Sequence, residues 1–359
     1  MNASMRAAVY HGPGDVRIER VPLPPPPGPE DVCLRILTAS LCGTDISQFL
    51  APTMIPLSHP HPTSGHQGPL VLGHEVCGIV VAKGERVEHV AIGDRVAVGA
   101  GWWCGVCPRC LEGRPNICEE AFVYGLHTHG GLAERALFPA KMCVRVPDTC
   151  SSEAAALAQP LAVALHALSQ SQIQASERVA IFGVGGVGSL MLAVLAVKPQ
   201  FKPSLLIALD IDPVRLTRAI ELGADATINP LVSNPFRELE QMTQARGIDL
   251  AIEATGQSAT ISQAVQAVRR GGRVLQVGIP STPLVELPLG QVVVQEKTVL
   301  TTNGHVCPVN LPAALDLLTT TDLARRVGTR PIQLENLVKE GLLPQVEHRA
   351  PEKVIVMIG

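Results

Sequence analysis

Aromatic residues and long apolar runs are scarce in this chain of 359 residues. It contains only 2 Trp, 2 Tyr and 6 Phe, too few rings for a surface that stacks nucleic-acid bases. The most apolar stretch, residues 189–197, is too short to span a bilayer and predicts a buried helix. The N-terminal sequence lacks the apolar core of a secretion signal. We therefore expect a cytoplasmic protein without a membrane partner.

The chain also lacks a large excess of either positive or negative charge. The formal net charge is −3 and no run of Lys or Arg occurs, so the chain has no electrostatic footprint for a nucleic-acid partner. Apolar residues make up 46% and charged residues 17%, which is typical of a globular protein. The length is sufficient for two domains with separate cores.

The pattern of predicted secondary structure changes near residue 155. Residues 1–155 consist of short Val- and Ile-rich runs broken by Gly and Pro, a pattern that predicts a β-rich domain. Residues 156–302 alternate short apolar strands, such as 178–182 and 226–228, with helical segments, such as 234–246 and 257–270. This alternation predicts an α/β fold with a doubly wound parallel sheet. The segment 303–359 ends in an apolar strand that we expect to return to the first domain.

A glycine pattern opens the second region. The strand 178–182 is followed by Gly183, Gly185 and Gly188 in the spacing G-x-G-x-x-G, and then by a helix. In this context the glycines permit a tight turn and a close approach of the backbone to a pyrophosphate. The amides at the helix N-terminus favour phosphate. The pattern therefore predicts a dinucleotide site that includes Gly186.

An acidic residue ends the next predicted strand and bears on the choice of cofactor. Asp210 is placed to bind the ribose hydroxyls of NAD, and its charge would repel the 2′-phosphate of NADP. Its alternative role is the N-cap of the following helix, but Asp212 is better placed to cap. Arg215 could accommodate a 2′-phosphate, so NADP stays a less favoured alternative to NAD.

Four of the ten cysteines lie within residues 104–118. Cys104, Cys107, Cys110 and Cys118 have the spacing C-x2-C-x2-C-x7-C, and four thiolates can close a tetrahedral zinc shell. A ferredoxin-type iron–sulfur run has a shorter final spacing and a proline after its last cysteine. Disulfides are not expected in a large cytosolic chain. We predict a structural zinc in a lobe at about residues 100–120, without an open position for substrate.

A second set of possible metal ligands is spread along the chain. It comprises Cys42 in "CGTD", the adjacent pair His74 and Glu75, and Gln159 in "AQPLAV". A catalytic zinc needs about three protein ligands and one open position. Such a metal would lower the pKa of an alcohol and so assist hydride loss. The expected metal content is two zinc ions per chain.

Together, the stretches 73–98, 104–118, 130–140, 159–168 and 183–188 resemble the zinc-dependent medium-chain alcohol dehydrogenases. Within that family, "CGTD" and the long insertion before "GHE" are most similar to the 2,3-butanediol dehydrogenase branch, near sorbitol and threonine dehydrogenases. The resemblance implies a GroES-like catalytic domain, a Rossmann domain, an active site in the cleft between them, and a homodimer or homotetramer.

The resemblance also implies roles for individual residues. Cys42, His74 and Glu75 are the implied ligands of the catalytic zinc, and Thr44 is the implied proton-relay hydroxyl. The positions implied to contact the cofactor are Val187, Arg215, Val277, Gly278, Ile279, Thr301 and Asn303.

The chain departs from this branch at three places. Gln159 stands where glutamate is usual, so the site loses a negative charge, and whether the amide ligates zinc stays open. Ser47 replaces a histidine that would extend the relay, and a hydroxyl passes a proton without holding it. Gln48 and Phe49 occupy the region of a tyrosine typical of sorbitol dehydrogenases.

These features predict an NAD-dependent enzyme that acts on a secondary alcohol, with a vicinal diol or hydroxyketone as the favoured substrate class. A polyol, sugar or amino-alcohol dehydrogenase is the alternative enzyme. A nucleotide-binding homologue that keeps only the structural zinc is the alternative from another class.

Overall fold

The computed structural model describes residues 4–280, 282–347 and 352–359. The chain divides into two compact units. Unit 1 combines the residues up to Ala162 with those from His305 onward, and unit 2 is Val163–Gly304. Among the described residues, the helices are all too short or too polar to cross a membrane.

The first part of unit 1 is built from short strands. They are β1 (Ser4–Gly12), β2 (Asp15–Pro22), β3 (Asp31–Ser40), β4 (Leu70–Val71), β5 (Glu75–Lys83), β6 (Arg95–Val98), β7 (Gly101–Trp102), β8 (Phe122–Val123), β9 (Arg135–Pro139) and β10 (Cys143–Arg145). The helices up to the unit boundary are α1 (Gly43–Leu50), α2 (Pro108–Leu111), α3 (Ser152–Ala155) and α4 (Ala158–Gln170), the last of which crosses it.

Unit 2 alternates strands and helices. Its strands are β11 (Arg178–Phe182), β12 (Leu205–Leu209), β13 (Ala226–Ile228), β14 (Ile248–Glu253), β15 (Val268–Gln276) and β16 (Thr298–Thr301). Its helices are α5 (Gly186–Val197), α6 (Pro213–Leu222), α7 (Pro235–Met242), α8 (Ser258–Ala267) and α9 (Leu289–Val294). The last segment returns to unit 1 with α10 (Cys307–Thr320), α11 (Leu323–Val327), β17 (Thr329–Gln333), α12 (Leu343–Val346) and β18 (Lys353–Met357).

The main sheet of unit 1 brings the end of the chain beside its beginning. In the described residues its strand order is β10-β6-β5-β3-β18-β17, and β9 also pairs with β3. Strand β18 runs antiparallel to β3, with Val356 opposite Ala39. Large apolar side chains such as Leu34, Ile36 and Phe138 are fully buried in the core. This pairing places β18 next to the strand that leads to Cys42.

The sheet of unit 2 is parallel throughout, with the order β13-β12-β11-β14-β15-β16 in the described residues. The predicted doubly wound parallel sheet is therefore confirmed. The strand order reverses between β11 and β14, and ligands of such sheets bind outside the carboxyl ends of the strands at that point.

Most predicted elements of unit 2 lie close to their expected bounds, but the helices predicted over 234–246 and 257–270 end early, at Met242 and Ala267. The strands 178–182 and 226–228 are found at those bounds. The helix predicted over 257–270 ends at Ala267, and Val268 already pairs with Ile248 in the sheet. Val268 is β-branched and 2% exposed, so burial in the sheet outweighs continuation of the helix.

A buried carboxylate joins strands at the amino ends of this sheet. Asp249 accepts hydrogen bonds from Nε and Nη2 of Arg178 at 2.7 and 2.9 Å, and from Nε of Arg269 at 2.6 Å. The backbone N–H of Arg178 donates to it at 2.8 Å. Burial raises the pKa of Asp249, but the arginine donors outweigh burial and lower it to about 2.

We predict that Asp249→Asn destabilises the fold by about 2 kcal/mol near neutral pH, because charge-assisted hydrogen bonds are lost from a buried site. The folded pKa of about 2 lies below the unfolded value of 3.8. This stabilisation is therefore complete above about pH 4 and is lost as the pH falls toward 2. Urea unfolding of both proteins from pH 7 to pH 3 measures the effect.

The matched control is Asp322→Asn, which removes a surface ion pair with Arg325 and Arg326. It should change the free energy of unfolding by less than about 1 kcal/mol. Equal losses in the two variants, or a difference from wild type that grows toward acid pH, would contradict the role assigned to Asp249.

Candidate functional site

The cysteine-rich lobe gathers its four sulfurs into one small volume. Each of Cys104, Cys107, Cys110 and Cys118 offers a sulfur within 4.8 Å of the others. The Sγ–Sγ distances are 3.6 Å for Cys104–Cys118, 3.8 Å for Cys107–Cys118 and 4.0 Å for Cys104–Cys110. A disulfide needs about 2.05 Å, whereas a tetrahedral zinc with Zn–S bonds of about 2.3 Å gives S–S edges of about 3.8 Å. The lobe therefore fits zinc and four thiolates.

Backbone amides in the lobe favour the thiolate form. Cys104 Sγ accepts from the N–H groups of Val106 and Cys107 at 3.4 and 3.2 Å, and Cys118 Sγ accepts from Glu120 at 3.4 Å. Backbone donors at Glu119 and Cys110 lower the pKa of Cys107 to about 6. Since metals bind the deprotonated thiol, these amides favour cation binding at Cys104 and Cys107, whereas burial raises the pKa of Cys110 and Cys118.

A second cluster forms around the start of helix α1. Sulfur of Cys42, a ring nitrogen of His74 and a carboxylate oxygen of Glu75 lie within 4.8 Å of one another. Cys42 immediately precedes α1, and Glu75 is the first residue of β5. His74 is 5% exposed and Glu75 is fully buried. The structure thus brings together three of the four dispersed residues that the sequence singled out.

Asp45 lies between Cys42 and His74, although no role was predicted for it from the sequence. One carboxylate oxygen accepts from the backbone N–H of Cys42 at 2.9 Å, and the other lies 3.5 Å from Nδ1 of His74. Burial raises the pKa of Asp45. Burial lowers the pKa of His74, but Asp45 and Cys42 outweigh it and raise the value to about 10. A carboxylate behind an imidazole orients it as a metal ligand.

Lys353 is a second residue at this cluster for which the sequence predicted no role. Its Nζ lies 3.0 Å from Oε1 and 2.7 Å from Oε2 of Glu75, and Ser40 Oγ donates to the same carboxylate. Burial lowers the pKa of Lys353, but Glu75 and Cys42 outweigh it and raise the value. Asp45 could have been found from its place three residues after Cys42. Lys353 lies 278 residues from Glu75 and carries no local signal.

The donor set of this cluster fits zinc. Thiolate sulfur, imidazole nitrogen and carboxylate oxygen are the zinc ligands found in proteins. The carboxylates of Asp45 and Glu75 are fully buried beside Cys42, and a divalent cation held by Cys42, His74 and Glu75 would offset their negative charge. Gln159 lies in the first turn of α4 and is 9% exposed; its role as a ligand stays a prediction.

The first turns of α1 hold the predicted relay hydroxyls. Thr44 Oγ1 lies 3.6 Å from Cys42 Sγ, and Thr44 is half-buried. Ser47 is exposed, and its hydroxyl donates to the backbone carbonyl of Thr44 at 2.9 Å. Thr44 is therefore beside the cluster of Cys42, His74 and Glu75, whereas the Ser47 hydroxyl is engaged by the helix backbone.

Gln48 and Phe49 are structural in this chain. The Gln48 side chain accepts from the backbone N–H groups of Thr53 and Met54 at 2.9 and 2.8 Å. Phe49 is 5% exposed and belongs to the core of unit 1. Both side chains therefore hold the turn after α1.

The glycine pattern lies in unit 2, between β11 and α5. Gly183 has φ of +89°, and a Cβ on Gly188 would lie 2.0 Å from the carbonyl oxygen of Gly183. Any side chain at Gly188 would push the helix away from the turn. Gly185 precedes α5, which begins at Gly186, and Val187 is half-buried in its first turn.

Asp210 lies at the carboxyl end of β12, next to this turn. One of its oxygens accepts from the N–H of Val184 at 3.0 Å, and the other accepts from Asp212 at 3.0 Å. Asp212, as predicted, caps α6 by accepting from Val214 at 2.8 Å. Arg215 Nη1 lies 3.9 Å from Asp210 and its Nε 3.6 Å from Asp212. The arginine is thus drawn toward two carboxylates.

The remaining predicted cofactor positions follow the last two strands of the sheet. Val277 and Gly278 are half-buried after β15, and Ile279 is 74% exposed. Thr301 is the last residue of β16, and both Thr301 and Asn303 are exposed. All of these positions lie at carboxyl ends of parallel strands, on the edge where such sheets bind ligands.

Comparison with known proteins gives family matches over both parts of the chain. The alcohol dehydrogenase GroES-like domain matches residues 28–148, and the zinc-binding dehydrogenase family matches residues 186–320. Sorbitol dehydrogenase of Bacillus subtilis (strain 168) is 33% identical over 293 residues, which are 80% of this chain and 78% of that protein.

Solved structures match over nearly the full length. The crystal structure of 2R,3R-butanediol dehydrogenase from Bacillus subtilis has 30% identity and a TM-score of 0.88, and the match covers 99% of each chain. A protein of Sinorhizobium meliloti 1021, described as a zinc-binding dehydrogenase bound to NADP, has 29% identity and a TM-score of 0.83, again over 99% of each chain.

We predict that the purified chain holds about two zinc ions, because each cluster has a donor set that completes or nearly completes a zinc shell. Cys107→Ser and Cys42→Ser should each lower the content to about one, and only Cys107→Ser should strongly lower the melting temperature. Elemental analysis by plasma mass spectrometry measures the stoichiometry.

Cys33→Ala is the matched control, because Cys33 is a buried thiol outside both clusters; it should keep both metals. A content of one zinc in the wild type, unchanged by Cys42→Ser, would refute the second metal site.

Proposed function

The chain belongs to the zinc-containing medium-chain alcohol dehydrogenases, and we propose that it transfers hydride between NAD(H) and a secondary alcohol or ketone. The observation that carries this proposal is the buried cluster of Cys42, His74 and Glu75 with the Thr44 hydroxyl beside it. A vicinal diol or hydroxyketone is the proposed substrate class.

The proposed ligands of the catalytic zinc are Cys42, His74 and Glu75, with Gln159 as a neighbour. Zinc bound there would polarise the alcohol oxygen and lower the pKa of the alcohol. Asp45 lies 3.5 Å from Nδ1 of His74, and Lys353 and Ser40 hold the carboxylate of Glu75. These contacts fix the ligand side chains before substrate arrives, which lowers the entropic cost of reaching the reactive geometry.

Thr44 is the proposed proton acceptor and donor between substrate and solvent. Its hydroxyl can accept the alcohol proton and pass its own on. Ser47 is the proposed next group, but its hydroxyl must first leave the Thr44 carbonyl. We therefore expect Ser47 to contribute less than Thr44.

NAD is the proposed cofactor. A nicotinamide cofactor fits the family, but one solved relative holds NADP, so the proposal depends on residues of this chain. Asp210 is fixed by two backbone N–H groups and would repel a 2′-phosphate, while Arg215 already faces Asp210 and Asp212. That arrangement favours a cofactor whose adenosine ribose carries two free hydroxyls, which is NAD and not NADP.

Assembly and location stay predictions. Leu289, Val293 and Val294 on α9 are 64%, 69% and 75% exposed, and α9 immediately precedes the edge strand β16. Exposed apolar groups beside an open strand edge favour association, so we expect a homodimer or homotetramer, which sedimentation of the native chain would measure. Thiolate metal sites also suit the reducing cytosol.

The direct test is reduction of NAD with diols, polyols, 3-hydroxy amino acids and simple secondary alcohols. We expect turnover with a vicinal diol, and Thr44→Val should lower kcat by about 100-fold or more, because the relay hydroxyl is lost at nearly constant volume. Steady-state rates together with zinc content measure this.

Thr44→Ser keeps the hydroxyl and should stay within about 10-fold of wild type, and Ser47→Ala should cost less than Thr44→Val. A Thr44→Val enzyme with full activity would exclude the relay. If only polyols are turned over, the proposed substrate class of vicinal diols and hydroxyketones is wrong.

Cofactor choice has its own test in Asp210→Ser. We expect the ratio of kcat/KM for NADP to that for NAD to rise by about 100-fold, because a charge facing the 2′-phosphate is removed while Arg215 is retained. Initial rates with both cofactors give the ratio.

The control is Asp225→Asn, which removes an equal charge at the opposite end of β12, where Asp225 accepts from the N–H of Leu206. It should leave the ratio unchanged. A wild-type enzyme that prefers NADP would contradict the NAD proposal at once.

A further inference from the structure

Glu253 is a fully buried carboxylate that the proposed chemistry does not use. It is the last residue of β14 and is 0% exposed. Strand β14 is one of the two strands that flank the reversal of strand order. The side chain therefore lies at the point of the sheet where a dinucleotide would cross.

All of the hydrogen-bond donors to this carboxylate that the structure describes are uncharged. Oε1 accepts from the backbone N–H of Thr255 at 2.9 Å and also from the Thr255 hydroxyl. Oε2 accepts from the backbone N–H of Gly256 at 3.0 Å and from Nε2 of Gln276 at 2.6 Å. Four donors that converge on one buried acceptor fix the positions of the backbone segments to which the donors belong.

The donors come from two places in the chain: the loop after β14, and the end of β15 where the next loop begins. Thr255 and Gly256 follow β14, whereas Gln276 is the last residue of β15 and also donates to the carbonyl of Gly278 at 2.7 Å. The backbone carbonyl of Glu253 accepts from the N–H groups of Val277 and Gly278 at 2.8 and 3.0 Å. One residue thus joins the loop after β14 to the loop after β15.

These loops touch each other and the glycine turn with no spare room. A Cβ on Gly278 would lie 2.2 Å from the backbone nitrogen of Gly256 and 2.8 Å from Oε2 of Glu253. A Cβ on Gly183 would lie 2.4 Å from the methyl group of Thr255. Displacement of the Glu253 network would therefore shift the segment 277–279 relative to the glycine turn.

We propose that Glu253 is a positioning residue for the nicotinamide half of the cofactor, which it serves by holding residues 277–279 in register with the glycine turn. The inference rests on the proposed function. Asp210 on β12 marks the adenosine half, and the second mononucleotide half of such a fold lies over the strands beyond the reversal, here β14 and β15. Glu253 acts through these loops and touches neither substrate nor cofactor.

The test compares two ligands on Glu253→Gln. This variant keeps the shape but turns an NH2 group toward donors that have lost their acceptor. Calorimetric titration should show NADH binding weakened by about 10-fold or more. Binding of ADP-ribose, which lacks nicotinamide, should stay within about 2-fold of wild type, because its contacts lie on the side of Asp210 and the glycine turn.

The matched control is Asp249→Asn, on the same strand at its other end. It removes an equal buried charge and lowers the melting temperature, but should leave both affinities unchanged. If Glu253→Gln does not fold, as judged by zinc content and melting temperature, Gln276→Leu decides the question, because it removes one donor and the bond to Gly278.

Selective loss of NADH affinity supports the proposal. Equal weakening of both ligands, or no weakening, overturns it and leaves Glu253 as a residue of general stability. A wild-type protein that binds ADP-ribose but not NADH, or neither ligand, would instead refute the proposed function.

Discussion

Buried negative charge around Cys42 is the constraint on which unit 1 depends. The carboxylates of Asp45 and Glu75 are fully buried beside the half-buried Cys42, and the ammonium group of Lys353 pairs with Glu75. Burying unpaired charge is costly. The pairing of β18 with β3 brings the positive charge of Lys353 to this site. The return of the chain end to unit 1 thus has an electrostatic role as well as a packing role.

The two cysteine clusters are built differently, which is why the one at residues 104–118 fits a structural metal and the one around Cys42 fits the proposed chemistry. The lobe of residues 104–118 supplies four sulfurs from one short segment, so its shell is complete and local. The Cys42 cluster combines the start of a helix, the start of a strand and, through Lys353, a strand from the end of the chain. Its donor set is incomplete by itself, which leaves room for a reacting group.

Most of the fold could be predicted from sequence because its signals are local. The glycine turn, the alternation of strands and helices in unit 2, and the capping role of Asp212 all follow from neighbouring residues. The end of α8 was missed because burial of Val268 in the sheet is a tertiary effect. Cys42, His74 and Glu75 were found through their motifs, whereas Lys353 and Glu253 carry no motif. Their roles depend on strand pairing and on loops that meet only in the folded chain.

The length of strand β14 sets the distance between its two buried carboxylates. Asp249 and Glu253 are four residues apart, so they lie on the same face of the strand, separated by about 13 Å. Each carboxylate is tied to donors from neighbouring strands at its own end of the sheet. Deletion of one residue between them would turn one carboxylate to the opposite face. The number of residues in this strand is therefore constrained by its two carboxylates as well as by the burial of its side chains.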